Sequence, residues 1–223
     1  MGRILAALAT VMLLGIVFLS GDGAALHVSA TDGDVPKLFV DERCGNACER
    51  MRASLGERFE FEEYDAFDSG AGALRYAELG GKGHLPYTVI GDSRIVGSDP
   101  GAIISAIAME YGDWQLPVEE RDALGRHFDD NGAPLFVMYS TRACGYCDKA
   151  RVYLGNRNID IVEFDIEQDA AAQQDFETLM GHGTPLIYRG YERVPGFNIR
   201  MLEPLIDAEE ALLDRSTRLT AMN

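Results

Sequence analysis

Positive charge is scarce in this chain. Against 36 Asp and Glu stand only 20 Lys and Arg, a formal net charge of −16 over 223 residues. Phosphate-binding surfaces need clustered Lys and Arg, so nucleic acid is not an expected partner. The acidity reads instead as a solvated surface. Cysteine is scarce too. Four cysteines are too few for a disulfide scaffold. With 47% hydrophobic residues, the chain can bury a core without one. There is a single tryptophan, Trp114, read as a packing residue. The apolar run Ile4–Leu19 has sixteen residues, short of the roughly 20 that a membrane span needs.

That run follows Arg3 and is followed by Ser20, Gly21, Asp22 and Gly23. Small residues at Gly23 and Ala25 fit a signal-peptidase site, and Val28 and Ala30 offer a second choice. Residues 1–25 therefore read as an export signal or as an uncleaved N-terminal membrane anchor. Either reading places the body of the protein outside the cytoplasm, periplasmic or anchored facing the periplasm, where disulfides persist. Any contact with a membrane is expected only through this segment.

The remainder is one unit written twice. "KLFVDERCGNAC" from Lys37 answers "PLFVMYSTRACGYC" from Pro134, and "GKGHLPYTVIGDSRIVGSDP" from Gly81 answers "MGHGTPLIYRGYERVPGFN" from Met180. Equivalent residues lie 99 apart: Cys48 and Cys147, Leu55 and Leu154, Pro86 and Pro185, Gly97 and Gly196. A repeat this long means two copies of a domain rather than a solenoid. The expected units are 36–112 and 133–214, joined by a polar linker, 113–132, with a short helix at Glu119–Phe128.

In the second copy, the apolar run Leu135–Tyr139 reads as a buried strand and is followed by a helix over Gly145–Leu154. "IDIVEFDI" (Ile159–Ile166) alternates as a strand does, and "DAAAQQDFETLM" reads as a helix. Two short strands turning at Gly190 and a last helix over Asn198–Leu213 complete the unit. This order predicts an α/β fold in which a mixed sheet is covered by helices. Phe39, Phe136 and Phe164 are expected in the core, and "EFEEYD" as a solvated strand face.

"TRACGYC" carries the chemistry. A thiolate, not a thiol, attacks a disulfide. Cys144 sits where a strand ends and a helix begins, and the free N–H groups and partial positive charge of a helix N-terminus favour a thiolate. Arg142 and Lys149 add to this, while Asp148 opposes it. Cys147, one turn inward, is placed to attack a mixed disulfide. Pro185, opening a strand after Thr184, predicts a loop that presents main-chain groups to an extended peptide.

With "CGYC" on the first helix, "GTP" at the proline position and "VPGFN" opening the last helix, residues 133–213 resemble the glutaredoxin branch of the thioredoxin-fold family. The resemblance implies tandem thioredoxin-like (glutaredoxin-like) domains, each a four-stranded mixed sheet flanked by helices, acting as a thiol–disulfide oxidoreductase. It makes Cys144 the nucleophile and Cys147 the resolving thiol. Protein thiols, protein disulfides or glutathione are the expected partners, glutathione as a co-substrate rather than a tightly bound cofactor. Arg142, Tyr146, Thr184 and Pro185 would line the substrate or glutathione groove, and Gly196, Phe197 and Asn198 would hold the γ-glutamyl end. The commonest motif of the family has Pro where Gly145 stands.

The first copy looks like a drifted sister. Cys44 and Cys48 stand four apart rather than three, "HLP" replaces "HGTP", and "VGSDP" keeps the turn with Asp99 as helix cap. Cys44 and Cys48 form either a second redox pair or an oxidised structural pair in a docking domain. Other readings of the cysteines are a structural staple at Cys144–Cys147, one zinc held by all four, or copper on Cys44, Cys48 and His84. His84 and His182 otherwise read as loop residues bonded to backbone. A non-enzymatic thiol module binding copper, an iron–sulfur cluster or a partner protein is the alternative function; no resident metal is expected.

Overall fold

The computed structural model describes residues 35–68 and 70–221; the apolar segment 4–19 and both candidate cleavage sites lie outside them. Among the described residues no helix is long and apolar enough to cross a membrane. The first half runs β1 (Lys37–Val40), α1 (Gly45–Gly56), β2 (Glu62–Asp65), α2 (Ala71–Glu78), β3 (Tyr87–Ile90), β4 (Ser93–Val96) and α3 (Pro100–Tyr111). A 3-10 turn (Asp113–Gln115) and α4 (Val118–Gly125) follow. The second half repeats the order: β5 (Phe136–Ser140), α5 (Gly145–Gly155), β6 (Ile161–Asp165), α6 (Ala170–Thr178), β7 (Leu186–Arg189), β8 (Glu192–Pro195) and α7 (Ile199–Ala221).

Each half builds a four-stranded mixed sheet, in the orders β2-β1-β3-β4 and β6-β5-β7-β8. In both, the first strand pairs parallel to the second and antiparallel to the third. The central strands are apolar on both faces because both faces are covered. Leu38 and Val40 face one core while Phe39 faces another; Val137 and Tyr139 likewise oppose Phe136 and Met138.

The two units share a core. One apolar cluster runs from Leu38, Met51 and Leu55 through Ile103, Ile104 and Ile107 of α3 to Val137, Tyr139, Leu186 and Tyr188 of the second unit. Helix α3 is therefore buried over most of its surface, from Ile103 to Ala108, as the largely apolar "PGAIISAIAMEY" requires. The segment between the units is packed rather than slack. Arg58 bonds Glu120 of α4 at 2.5 and 3.0 Å. His127 is fully buried, its Nε2 2.9 Å from the Tyr139 hydroxyl and its Nδ1 3.1 Å from the Gly190 carbonyl. Burial holds its pKa down, to about 4.

Several elements differ from the sequence reading. The linker helix ends at Gly125 because the chain then turns, and Phe128 bridges Pro134. Helix α7 continues past Leu213 to Ala221, since nothing after Pro204 in its Leu-, Ala- and Glu-rich sequence stops it. Trp114 is not a core residue: it is 66% exposed, its indole lying over Gly112, where a Cβ would meet it at 2.6 Å. Phe39 and Phe136 are buried, and Phe164 is half-buried under the Arg126 guanidinium, 4.2 Å from the ring centre.

Candidate functional site

Strand β5 delivers its end, Ser140, into the core, and the chain turns through Thr141 and Arg142 into α5. Cys144 is the N-cap of α5, in an extended conformation (φ −96°, ψ 94°). It is joined to Cys147 by a disulfide with Cα atoms 5.2 Å apart. The Cys147 N–H points at the Cys144 Sγ at 3.0 Å. In the reduced protein this amide and the helix N-terminus lie beside any charge on that sulfur. The two sulfurs differ in access. Cys147 is 0% exposed, packed in the cluster of Met138, Ile187 and Leu202, while Cys144 is half-buried.

The charges nearby are arranged. Asp148, expected to oppose a thiolate, pairs with Arg151, which also grips Glu163 at 2.8 and 2.5 Å. Arg151 beside Glu163, with help from Ser140, holds that carboxyl below its usual range. Lys149 reaches over the ring of Tyr146, 4.7 Å from its centre, and Tyr146 is 61% exposed. The Arg142 side chain is exposed; its backbone N–H donates to Glu167 at 3.0 Å.

The proline loop closes the site. The Thr184–Pro185 bond is cis and Pro185 is buried. Thr184 Oγ1 lies 3.4 Å from Thr141 Oγ1, which links this loop to the cysteine turn. The Pro185 carbonyl accepts from the Gly196 N–H at 2.8 Å, and Gly196 takes φ +70°, a glycine conformation. Asn198 is exposed and its carbonyl starts α7 by accepting from Met201 and Leu202. The structure therefore brings Cys144, Cys147, Thr184, Pro185 and Gly196 into one neighbourhood. Phe197 behaves differently: its ring packs edge-on against Tyr153 of α5, 5.6 Å between centres. Thr141 and Glu167 were missed by the sequence reading. A threonine at a strand end is a weak signal, and Glu167 meets Arg142 only through the fold.

The first unit repeats the frame with different details. Cys44 and Cys48 form a disulfide with Cα atoms 5.5 Å apart, an ordinary separation despite the extra residue. Cys48 is 2% exposed and Cys44 half-buried. The extra residue is absorbed at the helix start: Cys44 is αR (φ −68°, ψ −27°) and Gly45 takes φ +53°. Consequently no side-chain cap bond reaches the Cys44 sulfur. Leu85–Pro86 is also cis, and the Pro86 carbonyl accepts from Gly97 at 2.8 Å.

Because each pair closes within its own unit, the four cysteines do not converge on one zinc. Among the described residues no three or more His, Cys, Asp or Glu are grouped to hold a metal ion, Cys44, Cys48 and His84 included. His84 and His182 are exposed in their loops.

The glutaredoxin family profile matches residues 136–194, which hold the second cysteine pair and its proline loop. An uncharacterised glutaredoxin-like 8.6 kDa protein in the rubredoxin operon of Clostridium pasteurianum is 31% identical over 74 residues, 33% of this chain and 99% of that protein. Among solved structures, a thioredoxin-like protein is 29% identical with a TM-score of 0.31, covering 32% of this chain and 94% of its own. A buckwheat glutaredoxin solved as a glutathione complex is 18% identical with a TM-score of 0.30, covering 37% of this chain and 78% of its own. On the cysteine turn, the proline loop and the relative spanned almost end to end, the chain belongs to the glutaredoxin family of thioredoxin-like proteins.

Proposed function

We propose that this protein is a thiol–disulfide oxidoreductase acting outside the cytoplasm, with its exchange chemistry at Cys144 and Cys147. The observation that carries the reading is the asymmetry of the two sulfurs. Cys144 is accessible, at a helix N-terminus, with the Cys147 N–H aimed at it; Cys147 is wholly buried behind it. An attacking thiolate must be reached by substrate, and a resolving thiol need only reach its partner. In the reduced enzyme the Cys144 thiolate attacks a substrate disulfide, forming a mixed disulfide and releasing one substrate thiolate. Cys147 then attacks the Cys144 sulfur, releases the second substrate thiol and leaves the disulfide seen here. The substrate gains two electrons and two protons. Two glutathione molecules return the enzyme to its dithiol, themselves becoming a disulfide.

Thr184, tied to Thr141 of the cysteine turn, offers its main-chain groups next to that turn, and the turn at Gly196–Asn198 opens α7 toward a carboxylate. Arg142 and Tyr146 flank the groove. Family membership supports glutathione and protein disulfides as partners, and the N-terminal apolar run supports export. The test is direct. Cys147→Ser should accumulate mixed disulfides with glutathione and with protein substrates, seen as discrete mass additions, whereas Cys144→Ser should accumulate none at this pair. A Cys144–Cys147 pair that stays oxidised below about −300 mV would be a structural disulfide and would sink the reading. Mass measurement of the mature N-terminus in the exporting cell tests the location.

A further inference from the structure

The turn that opens the last helix of each unit has the same frame and opposite chemistry. In the second unit it carries Asn198 and then Ile199, which keeps its N–H. In the first, Pro100 opens α3 and has no N–H to offer. The next amide, Gly101, donates to the Asp99 carboxylate at 3.1 Å, and Ala102 donates to the Asp99 carbonyl at 3.0 Å. The first turn of α3 therefore has no amide left for an incoming anion.

The Asp99 carboxylate also has a second partner. Arg193, from β8 of the second unit, bonds Asp99 at 3.0 Å with its side chain only 3% exposed. Its remaining donors hold the Leu179 and Met180 carbonyls and the Tyr188 hydroxyl. The guanidinium lies against Gly101, where a Cβ would stand 2.5 Å from its central carbon. The same turn is tied to the cysteine helix, since Arg50 of α1 bonds Ser98 at 3.1 Å. The turn is left half-buried with its amides and its neighbouring guanidinium already bonded, while the Cys44 sulfur beyond it is also half-buried.

We propose that the two disulfides are sorted by reductant: Cys144–Cys147 exchanges with glutathione, and Cys44–Cys48 exchanges with dithiols but not with glutathione. This rests on the glutathione reading of the second unit. Glutathione is an anionic monothiol that depends on its carboxylates being held while its sulfur reacts. A dithiol needs only access. Its first thiolate attacks Cys44, the Cys44–Cys48 bond breaks, and Cys48 leaves and takes a proton. Its second sulfur then attacks the first, closing the dithiol's own disulfide and freeing Cys44. Two electrons and two protons pass to the protein.

The experiment follows both pairs at once in the intact oxidised protein, by quenching with an alkylating agent and reading each pair by peptide mass. Reduction is run with glutathione and, separately, with dithiothreitol, and the glutathione rate is divided by the dithiothreitol rate at each pair. The expected ratio is at least about tenfold lower at Cys44–Cys48, the size of one well-placed contact between a charge and a helix terminus. Equal, fast glutathione reduction at both pairs overturns the sorting and leaves the glutathione reading standing. Equal, slow glutathione reduction at both overturns the glutathione reading and the sorting with it. Asp99→Asn should raise the ratio at Cys44–Cys48 several-fold. If that variant does not fold, Asp99→Asn with Arg193→Gln removes both charges together. An unchanged ratio in a folded variant overturns the assignment to Asp99.

Discussion

The two halves of this protein have one topology and two different cysteine turns. Both place a cysteine pair after the first strand and a cis-proline loop beside it, with the proline carbonyl bonded to a glycine at 2.8 Å. One inserted residue separates them. In the second unit Cys144 is an extended helix cap that meets the Cys147 N–H. In the first, the additional residue rotates Cys44 into αR, and no amide meets its sulfur as a cap. A second contrast lies on equivalent arginines. Arg94 and Arg193 both reach back to the carbonyl end of the preceding helix, through Leu79 and Leu179. Arg94 is exposed, whereas Arg193 is buried and crosses to Asp99 of the other unit. A fold repeated twice thus does not repeat the surroundings of its sulfurs.

The largest effect should separate the sulfurs. Cys144→Ser should lower exchange with a small disulfide substrate by at least about a thousandfold, while Cys44→Ser changes it far less, in a steady-state assay. Comparable losses from both would make the units chemically equivalent. Next come the arginines. Arg193→Ala leaves Asp99 and two carbonyls without their partner and should destabilise the chain by about 3 kcal/mol in urea unfolding. Arg94→Ala, at an exposed site, should fall within about 1 kcal/mol. Equal losses would remove the distinction between bolt and surface residue.

Acid should act through His127. Its folded pKa, about 4, lies below the ordinary 6.5 because burial disfavours the charged form. Above pH 6.5 neither state binds the proton, and the folded state carries its full stability. Between 6.5 and about 4 the unfolded chain takes a proton that the folded chain refuses, so stability falls as pH falls. The loss is on the order of 3 kcal/mol across that window. Urea midpoints measured at pH 7, 5.5 and 4.5 should trace it, and His127→Gln should flatten it. The smallest effect compares two glycines. Gly45 sits at φ +53°, so Gly45→Ala should destabilise by about 1 kcal/mol. Gly145 has an ordinary φ and open space at its Cβ position, so Gly145→Ala should stabilise by about 0.5–1 kcal/mol. Thermal melts distinguish the signs.

Much of this was legible in the chain, for local reasons. The alternation of "IDIVEFDI", the apolar runs "KLFV" and "FVMYS", and the glycines ending the cysteine helices locate elements within a few residues, because periodicity and capping act over short range. The cysteine turn and the proline loop of one copy could be matched to those of the other in advance, because Cys48 and Cys147, like Pro86 and Pro185, lie 99 residues apart. Other residues could not be placed this way. Trp114 reads as a packing residue and is exposed; His127 carries no signal in the sequence and is fully buried between Tyr139 and Tyr188. Helix α3 did carry a signal, since a largely apolar helix must be covered over most of its surface.

By itself, then, the sequence determined the two units and the order of their strands and helices, because these follow from patterns within a few residues and from a repeat of constant length. The tertiary structure alone decided that α3 lies in a core shared by both units, that Arg151 of α5 grips Glu163 of β6, and that Arg193 bonds the turn at Asp99. These contacts join residues up to 94 positions apart. Their energies come from burial and from geometry between elements, and neither is written in local sequence.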